Sequence, residues 1–286
     1  MAWSDGSPPG AGARELVARG DLDAYAVIAP SLAASLDLAR RRDPVHVKHT
    51  FDPVRAATAP FLDRIERIDG LTFGPRGLAT PRWALYDCAC LPGVIFGLGR
   101  AARELDAATR SALGAAAGED DGELVPLSLL VAIPMLGDDR WLAYSLATAP
   151  LRDPIPDLDL ATLVLGLDLL RAREVTATAQ WGSPELATIA RLAPIHVRAA
   201  WLPAHDIPAS AVLSIDLGAR SLGAREEPRG QPPRRPVERF FVDTRDDAAL
   251  RALQADIEAG RHIELAGPPI QDGPHLRAPL LREVEA

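Results

Sequence analysis

Between residues 174 and 217 the chain changes its hydrophobic period twice, and no other stretch restricts the fold as much. Glu174–Trp181 alternates strictly, with Val175, Ala177, Ala179 and Trp181 on one side and Thr176, Thr178 and Gln180 on the other, the period of a strand covered on one face. Gly182-Ser183-Pro184 then offers a hydroxyl at an N-cap and a proline at the first helical position, which predicts a helix over Pro184–Leu192. Ile195–Trp201 alternates again, with His196 and Arg198 opposite Val197, Ala199 and Trp201, and Val212–Leu217 brings the chain back as a further strand. Strand, helix, strand and strand in that order need a sheet to close on. Val175, Ala177, Ala179, Val197, Ala199 and Trp201 are expected to be buried, and Thr176, Thr178, Gln180 and His196 to face a cleft.

Upstream, helical spacing predicts helices at Arg14–Arg19, Ser31–Arg41 and Pro53–Ile68. The last carries Val54, Ala57, Phe61, Ile65 and Ile68, with Asp52 available as its N-cap. Arg82–Cys88 and Val94–Gly99 read as strands joined by Leu91-Pro92-Gly93, and Asp106–Leu113 as a short helix before an acidic loop at 118–122. Val125–Ile133 and Trp141–Thr148 flank the turn signal Gly137-Asp138-Asp139, and a loop rich in Pro and Asp enters a helix at Asp159–Arg173. The fold class expected is α+β or α/β, a mixed and mostly antiparallel sheet flanked by helices, with a helical N-terminal region and a C-terminal appendage. The expected organisation is a flexible leader over 1–13, a main domain over 14–217, a Pro/Arg-rich linker over 218–236 and an appendage over 237–286. That appendage holds helical patterns at Asp246–Ala259 and Leu280–Glu285 and could join two copies as a homo-oligomer.

Composition excludes several classes. A hydrophobic fraction of 48% is ordinary for a globular chain and rules out wholesale disorder. A formal charge of −8 lacks the basic face that nucleic acid requires. The most apolar run, Leu124 to Leu136, contains Pro126, Ser128 and Pro134 and falls short of the ~18 residues of a membrane span. No secretory signal opens the chain, and Cys88 and Cys90 stand too close in sequence for an unstrained disulfide, so a cytoplasmic location is expected. The dinucleotide glycine fingerprint, the Walker A loop, His-Glu-x-x-His and the Gly-x-Ser-x-Gly elbow are all missing, and with them the hydrolase reading of His205-Asp206.

Over roughly residues 80–217 the element order resembles the GNAT superfamily of acyl-CoA-dependent N-acyltransferases. Glu174–Trp201 carries the resemblance best: strand Val175–Gln180, helix Pro184–Leu192 and strand His196–Trp201 look like that family's fifth strand, fourth helix and sixth strand. Gln180-Trp181-Gly182-Ser183-Pro184-Glu185-Leu186-Ala187 stands where the family has a polar residue, a small residue and an Ala-rich helix. The resemblance implies transfer of an acyl group from acyl-CoA, as co-substrate, to an amine of a small molecule or peptide, with no metal. It implies Tyr144 and His196 as acid/base groups, with Tyr86 and Asp87 as alternates, and Thr148, Arg152, Thr162, Gln180 and Ser183 around the cofactor. The chain departs from the family at the pyrophosphate loop. Leu151–Leu160 has no glycine, carries Asp153, Asp157 and Asp159, and loses two N–H donors at Pro154 and Pro156. That departure keeps a second reading open, a non-catalytic relative that binds a small molecule or peptide or serves in an assembly.

Two further clusters carry reactive side chains. Tyr86-Asp87-Cys88-Ala89-Cys90, taken as a strand, puts Tyr86, Cys88 and Cys90 on one face. Cys88 is then a candidate nucleophile and Tyr86 a candidate acid, or the cysteines are small hydrophobes. His46-Val47-Lys48-His49 invites a zinc reading with the two cysteines, but their spacing is too tight for the usual ligand pairs. Lys48 is the only lysine, so any Schiff base would fall to it.

Overall fold

The computed structural model describes residue 17 and residues 22–38, 47–90, 93–115, 122–136, 139–192, 195–202, 210–217 and 237–283. The leader, most of the predicted helix Arg14–Arg19 and of the acidic loop, His46, the His205-Asp206 loop and the 218–236 linker lie outside them. The chain packs as two compact units, Met1–Asp138 with Leu142–Arg171, and Asp139–Trp141 with Ala172–Ala286.

The first unit is built on strands β1 (Asp23–Ile28), β2 (Val47–Phe51), β3 (Val94–Ala101), β4 (Leu124–Pro126), β5 (Ser128–Pro134) and β6 (Arg140–Thr148, whose first two residues belong to the second unit). Its sheet runs β6-β5-β3-β1-β2, with β4 beside β3. Only β1 and β2 pair in parallel among the pairings resolved here; β1–β3, β3–β4 and β3–β5 are antiparallel. Among the described residues the helices that accompany it include α1 (Pro30–Ser35), α2 (Ala59–Phe73), α3 (Arg82–Cys90), α4 (Ala107–Ala112) and α5 (Leu158–Leu169). Tyr25 on β1 meets Phe61 of α2 edge-on, with ring centroids 4.9 Å apart, whereas Gly166 of α5 sits against Phe96 and Leu130. Tyr25 pairs with Gly97 and Phe96 with Leu130, so α2 and α5 cover opposite faces by strand alternation. A sheet covered on both faces explains the unbroken apolar runs Ala24–Ile28 and Val94–Leu98.

The second unit holds β7 (Glu174–Gln180), α6 (Pro184–Ile189), β8 (Ile195–Ala199), β9 (Ser210–Asp216), β10 (Val237–Asp243), α7 (Asp247–Glu258), β11 (Ile263–Leu265), β12 (Ile270–Asp272) and β13 (His275–Glu283). Its strands run β10-β13-β11-β8-β9-β7, antiparallel throughout, with β12 beside β13. Ser183 caps α6 as expected, accepting from the Leu186 N–H at 3.1 Å. Val175, Ala177, Ala179 and Val197 are buried; Ala199 and Trp201 are partly covered. Residues 172–217 and 237–283 share this one sheet, because β11 pairs with β8 at Glu264 and His196.

Several expectations are corrected. Arg82–Cys90 is helix α3, not a strand: Leu85 and Ala89, one helical turn apart, are its buried pair. Tyr86 and Cys88 therefore do not share a face. Leu280–Glu283 belongs to β13 rather than to a helix, because it pairs with β10 on one side and β11 on the other. The helix after Asp52 begins only at Ala59, and Asp52 closes the preceding turn by accepting from the Val54 N–H at 3.2 Å. No described helix is long and apolar enough to cross a membrane.

Candidate functional site

Helix α2 buries Phe61, Ile65 and Ile68 on one stripe, and Asp69 follows Ile68 into the interior. Its carboxylate accepts from the Thr80 N–H at 2.5 Å and the Thr80 hydroxyl at 3.0 Å, and from the Ser145 hydroxyl of β6 at 3.2 Å. Burial pushes the Asp69 pKa up, those hydrogen bonds pull it back, and Glu66 one turn earlier pushes it up again. Tyr144 precedes Ser145 on β6 and is 47% exposed. Its phenol is held above its ordinary pKa by partial burial first, then by Cys88 and Asp69. At neutral pH Tyr144 is therefore a proton donor with one face open to solvent. The Cys88 thiol is also pushed up, by burial and by the Asp87 charge, which keeps it protonated and makes it a poor nucleophile.

Tyr86 is exposed and lines a cavity of about 280 Å³ with Val54, Leu62, Glu66, Arg82 and Leu85. Arg82 at its wall pairs with Asp63 at 2.5 Å and Glu66 at 3.5 Å. Asp87 points to solvent on the next helical position. In the first unit Tyr144 thus feels the charges of Cys88 and Asp69, and Tyr86 sits on a different face of α3 from Cys88.

The residues expected around the cofactor divide. Thr162 is fully buried: its hydroxyl donates to the Leu158 carbonyl at 2.7 Å and meets the Ser128 hydroxyl at 2.6 Å, so it is closed to any ligand. Ser183 is likewise buried, with its hydroxyl used as a helix cap. Arg152 is exposed, Gln180 half-buried, and the Thr148 carbonyl accepts from the Thr72 hydroxyl at 3.1 Å. Asp157 is the N-cap of α5 in a left-handed conformation (φ 58°), with no side-chain capping bond, and Asp159 sits in the first turn. Two carboxylates at that terminus do not fit a diphosphate, which would also need the N–H groups that Pro154 and Pro156 lack.

In the second unit a polar row crosses one sheet face: Thr176 stands opposite Ser214, Ser214 opposite His196, and His196 opposite Glu264. Ser214 and Glu264 are buried, and the Ser214 hydroxyl donates to Glu174 at 3.0 Å. The His196 ring lies 4.5 Å from that of His262, and its buried Nδ1 has no hydrogen-bond partner among the described residues. Burial, then His262, lower the His196 pKa, with Glu264 opposing. A histidine whose pKa falls on folding binds fewer protons folded than unfolded, so its stability contribution is complete above about 6.5 and is lost as the pH falls below that. Denaturant titrations from pH 7.5 down to 5 are expected to show a steeper loss for the wild type than for His196→Gln; equal slopes would refute the assignment. Among the described residues no group of three or more His, Cys, Asp or Glu side chains is placed to hold a metal.

No family model and no curated protein matches the chain. Among solved structures it is similar to nourseothricin acetyltransferase at 12% identity and a TM-score of 0.30, covering 44% of this chain and 65% of that one. It is also similar to aminoglycoside 6′-acetyltransferase type Ii, at 11% identity and TM-score 0.35 over 59% of this chain and 96% of that one. A third is a protein assigned to the GNAT acetyltransferases from Desulfovibrio desulfuricans, at 16% identity and TM-score 0.35 over 56% and 93%. Asp69, Thr80 and Ser145 escaped the sequence reading. The usable signal was an aspartate directly beside the apolar stripe of α2, since a carboxylate taken indoors needs partners.

Proposed function

We propose that the chain is an N-acyltransferase that moves an acyl group from a thioester to an amine, with Tyr144 as its general acid. The observation that supports this reading is the half-exposed Tyr144 phenol, kept protonated by partial burial and by the charges of buried Asp69 and half-buried Cys88. As the amine nitrogen bonds to the acyl carbon, the C–S bond breaks, and the Tyr144 hydroxyl gives its proton to the departing thiolate. The proton released by the amine restores the phenol. Asp69 touches no substrate in this scheme; it is a positioning residue acting through Ser145.

Replacing Tyr144 by Phe removes the proton and keeps the ring. Turnover is expected to fall by at least about a hundredfold, within the range of a lost general acid, with the melting temperature unchanged. An unaltered rate would end this role.

The carboxylates at the start of α5 favour a second reading, in which the chain binds a small molecule or peptide without catalysis. Calorimetry with acetyl-CoA and with S-acetyl-pantetheine, which lacks the diphosphate, separates the two. If the chain is an acyltransferase it binds the short thioester. If neither thioester binds at millimolar concentration, the acyltransferase reading is overturned and the binding reading stands.

A further inference from the structure

Strand β10 closes the second unit's sheet at one end, and among the described residues nothing pairs with its outer edge. An open edge is a row of unsatisfied N–H and C=O groups, and proteins commonly blunt it with lysine, proline, a bulge or a short strand. The edge of the first unit shows such devices: β2 carries Lys48, and its pairing with β1 shifts register at Ala24/Tyr25. β10 has neither lysine, proline nor bulge, and the charges it carries, Glu238, Arg239 and Asp243, are of both signs. Its sequence Val-Glu-Arg-Phe-Phe-Val-Asp has no Pro, Gly or Lys, and it pairs with β13 without interruption from Val237 to Asp243.

The strand is also held ready on its inner side. Val242 is buried, Arg282 of β13 bonds Glu238 at 2.7 Å, and the same guanidinium lies 4.7 Å above the Phe240 ring. On the other face Arg239, Phe241 and Asp243 follow one another at strand spacing. Phe241 is 51% exposed, with the Arg239 guanidinium 5.7 Å from its ring.

We infer that β10 is an interface for a second copy of this chain, pairing antiparallel with its own counterpart about a two-fold axis at Phe241. A two-fold axis allows a strand to meet itself only antiparallel, and the charges select the register. Centred on Phe241, Arg239 faces the partner's Asp243, Asp243 faces the partner's Arg239, and the two Phe241 rings lie together. Centring the axis on Phe240 instead sets Arg239 against the partner's Phe241 and Glu238 against the partner's Val242, and both Arg–Asp pairs are lost. The backbone bonds give the association, and the Arg–Phe–Asp ladder gives its register.

Sedimentation of the full chain across a concentration series is expected to show a reversible dimer. Phe241→Glu, which sets two carboxylates on the axis, should raise the dissociation constant at least about tenfold without changing far-UV circular dichroism. Phe241→Cys should form a disulfide-linked dimer on mild oxidation, and Leu136→Cys, 95% exposed on the first unit, should not. A chain that stays monomeric at every concentration overturns the inference. So does a dimer that is indifferent to Phe241→Glu, or one that crosslinks equally at 136 and 241. None of these outcomes bears on the acyltransferase reading, which the Tyr144 and thioester experiments test separately.

Discussion

Gly97→Ala is expected to leave the chain unable to fold. Gly97 on β3 stands opposite Tyr25 on β1, and the buried Tyr25 hydroxyl crosses the space above it to donate to the Ser128 carbonyl at 2.7 Å. A Cβ at position 97 would collide with both that carbonyl and that hydroxyl. Neither can move aside: Tyr25 and Phe96 are wholly buried, Ser128 lies on the neighbouring strand, and its hydroxyl is already tied to Thr162 and to the Leu98 N–H. Overpacking costs roughly 1–3 kcal/mol, and a buried hydrogen bond broken on one side a similar amount, which together remove a large part of the roughly 5–15 kcal/mol that keeps a domain folded. Tyr25→Phe tests the same network more gently, since it removes the donor without adding volume. Soluble Gly97→Ala protein with a wild-type melting curve would show that the close approach is wrong.

Ala177→Asp should be almost as damaging. Ala177 is 2% exposed, faces Leu213 across the β7–β9 pair and shares its side of the strand with Val175 and Ala179. Among these apolar neighbours the new carboxylate must either stay charged and unpaired or take up a proton. Either way about 3–5 kcal/mol is expected to be lost. Thr178→Asp, one residue on and exposed on the opposite side, should change stability by less than about 0.5 kcal/mol. Urea denaturation of the pair measures the asymmetry, and similar midpoints would refute the assignment of faces.

That asymmetry was readable in advance because β7 is covered on one face only, so its alternation survives in the sequence. The same holds for α6, announced by Ser183 and Pro184. Where the chain is covered on both faces, or where long-range pairing decides, local pattern fails. β1 offers no period to read, since Ala24–Ile28 are all indoors. The aromatic and cysteine content of residues 82–90 suggests a strand, but burial of Leu85 and Ala89 against the sheet makes it a helix. Leu280–Glu283 could be read as a helix turn, and becomes β13 only because β10 and β11, both far from it in sequence, supply partners. At the candidate site, Tyr144 and His196 were visible as residue types. Asp69 was not, because its role depends on Thr80 and Ser145, 11 and 76 residues away.

The pairing of β11 with β8 also orders events in time. While the chain is being made, β7, β8 and β9 emerge first, and β8 has an open edge until residues 263–265 have left the ribosome. The second unit is therefore completed only once β11 has been made, and any chain cut short before it keeps an unfilled strand position beside His196. Such a product, with a bare strand edge, is a ready client for chaperones and proteases.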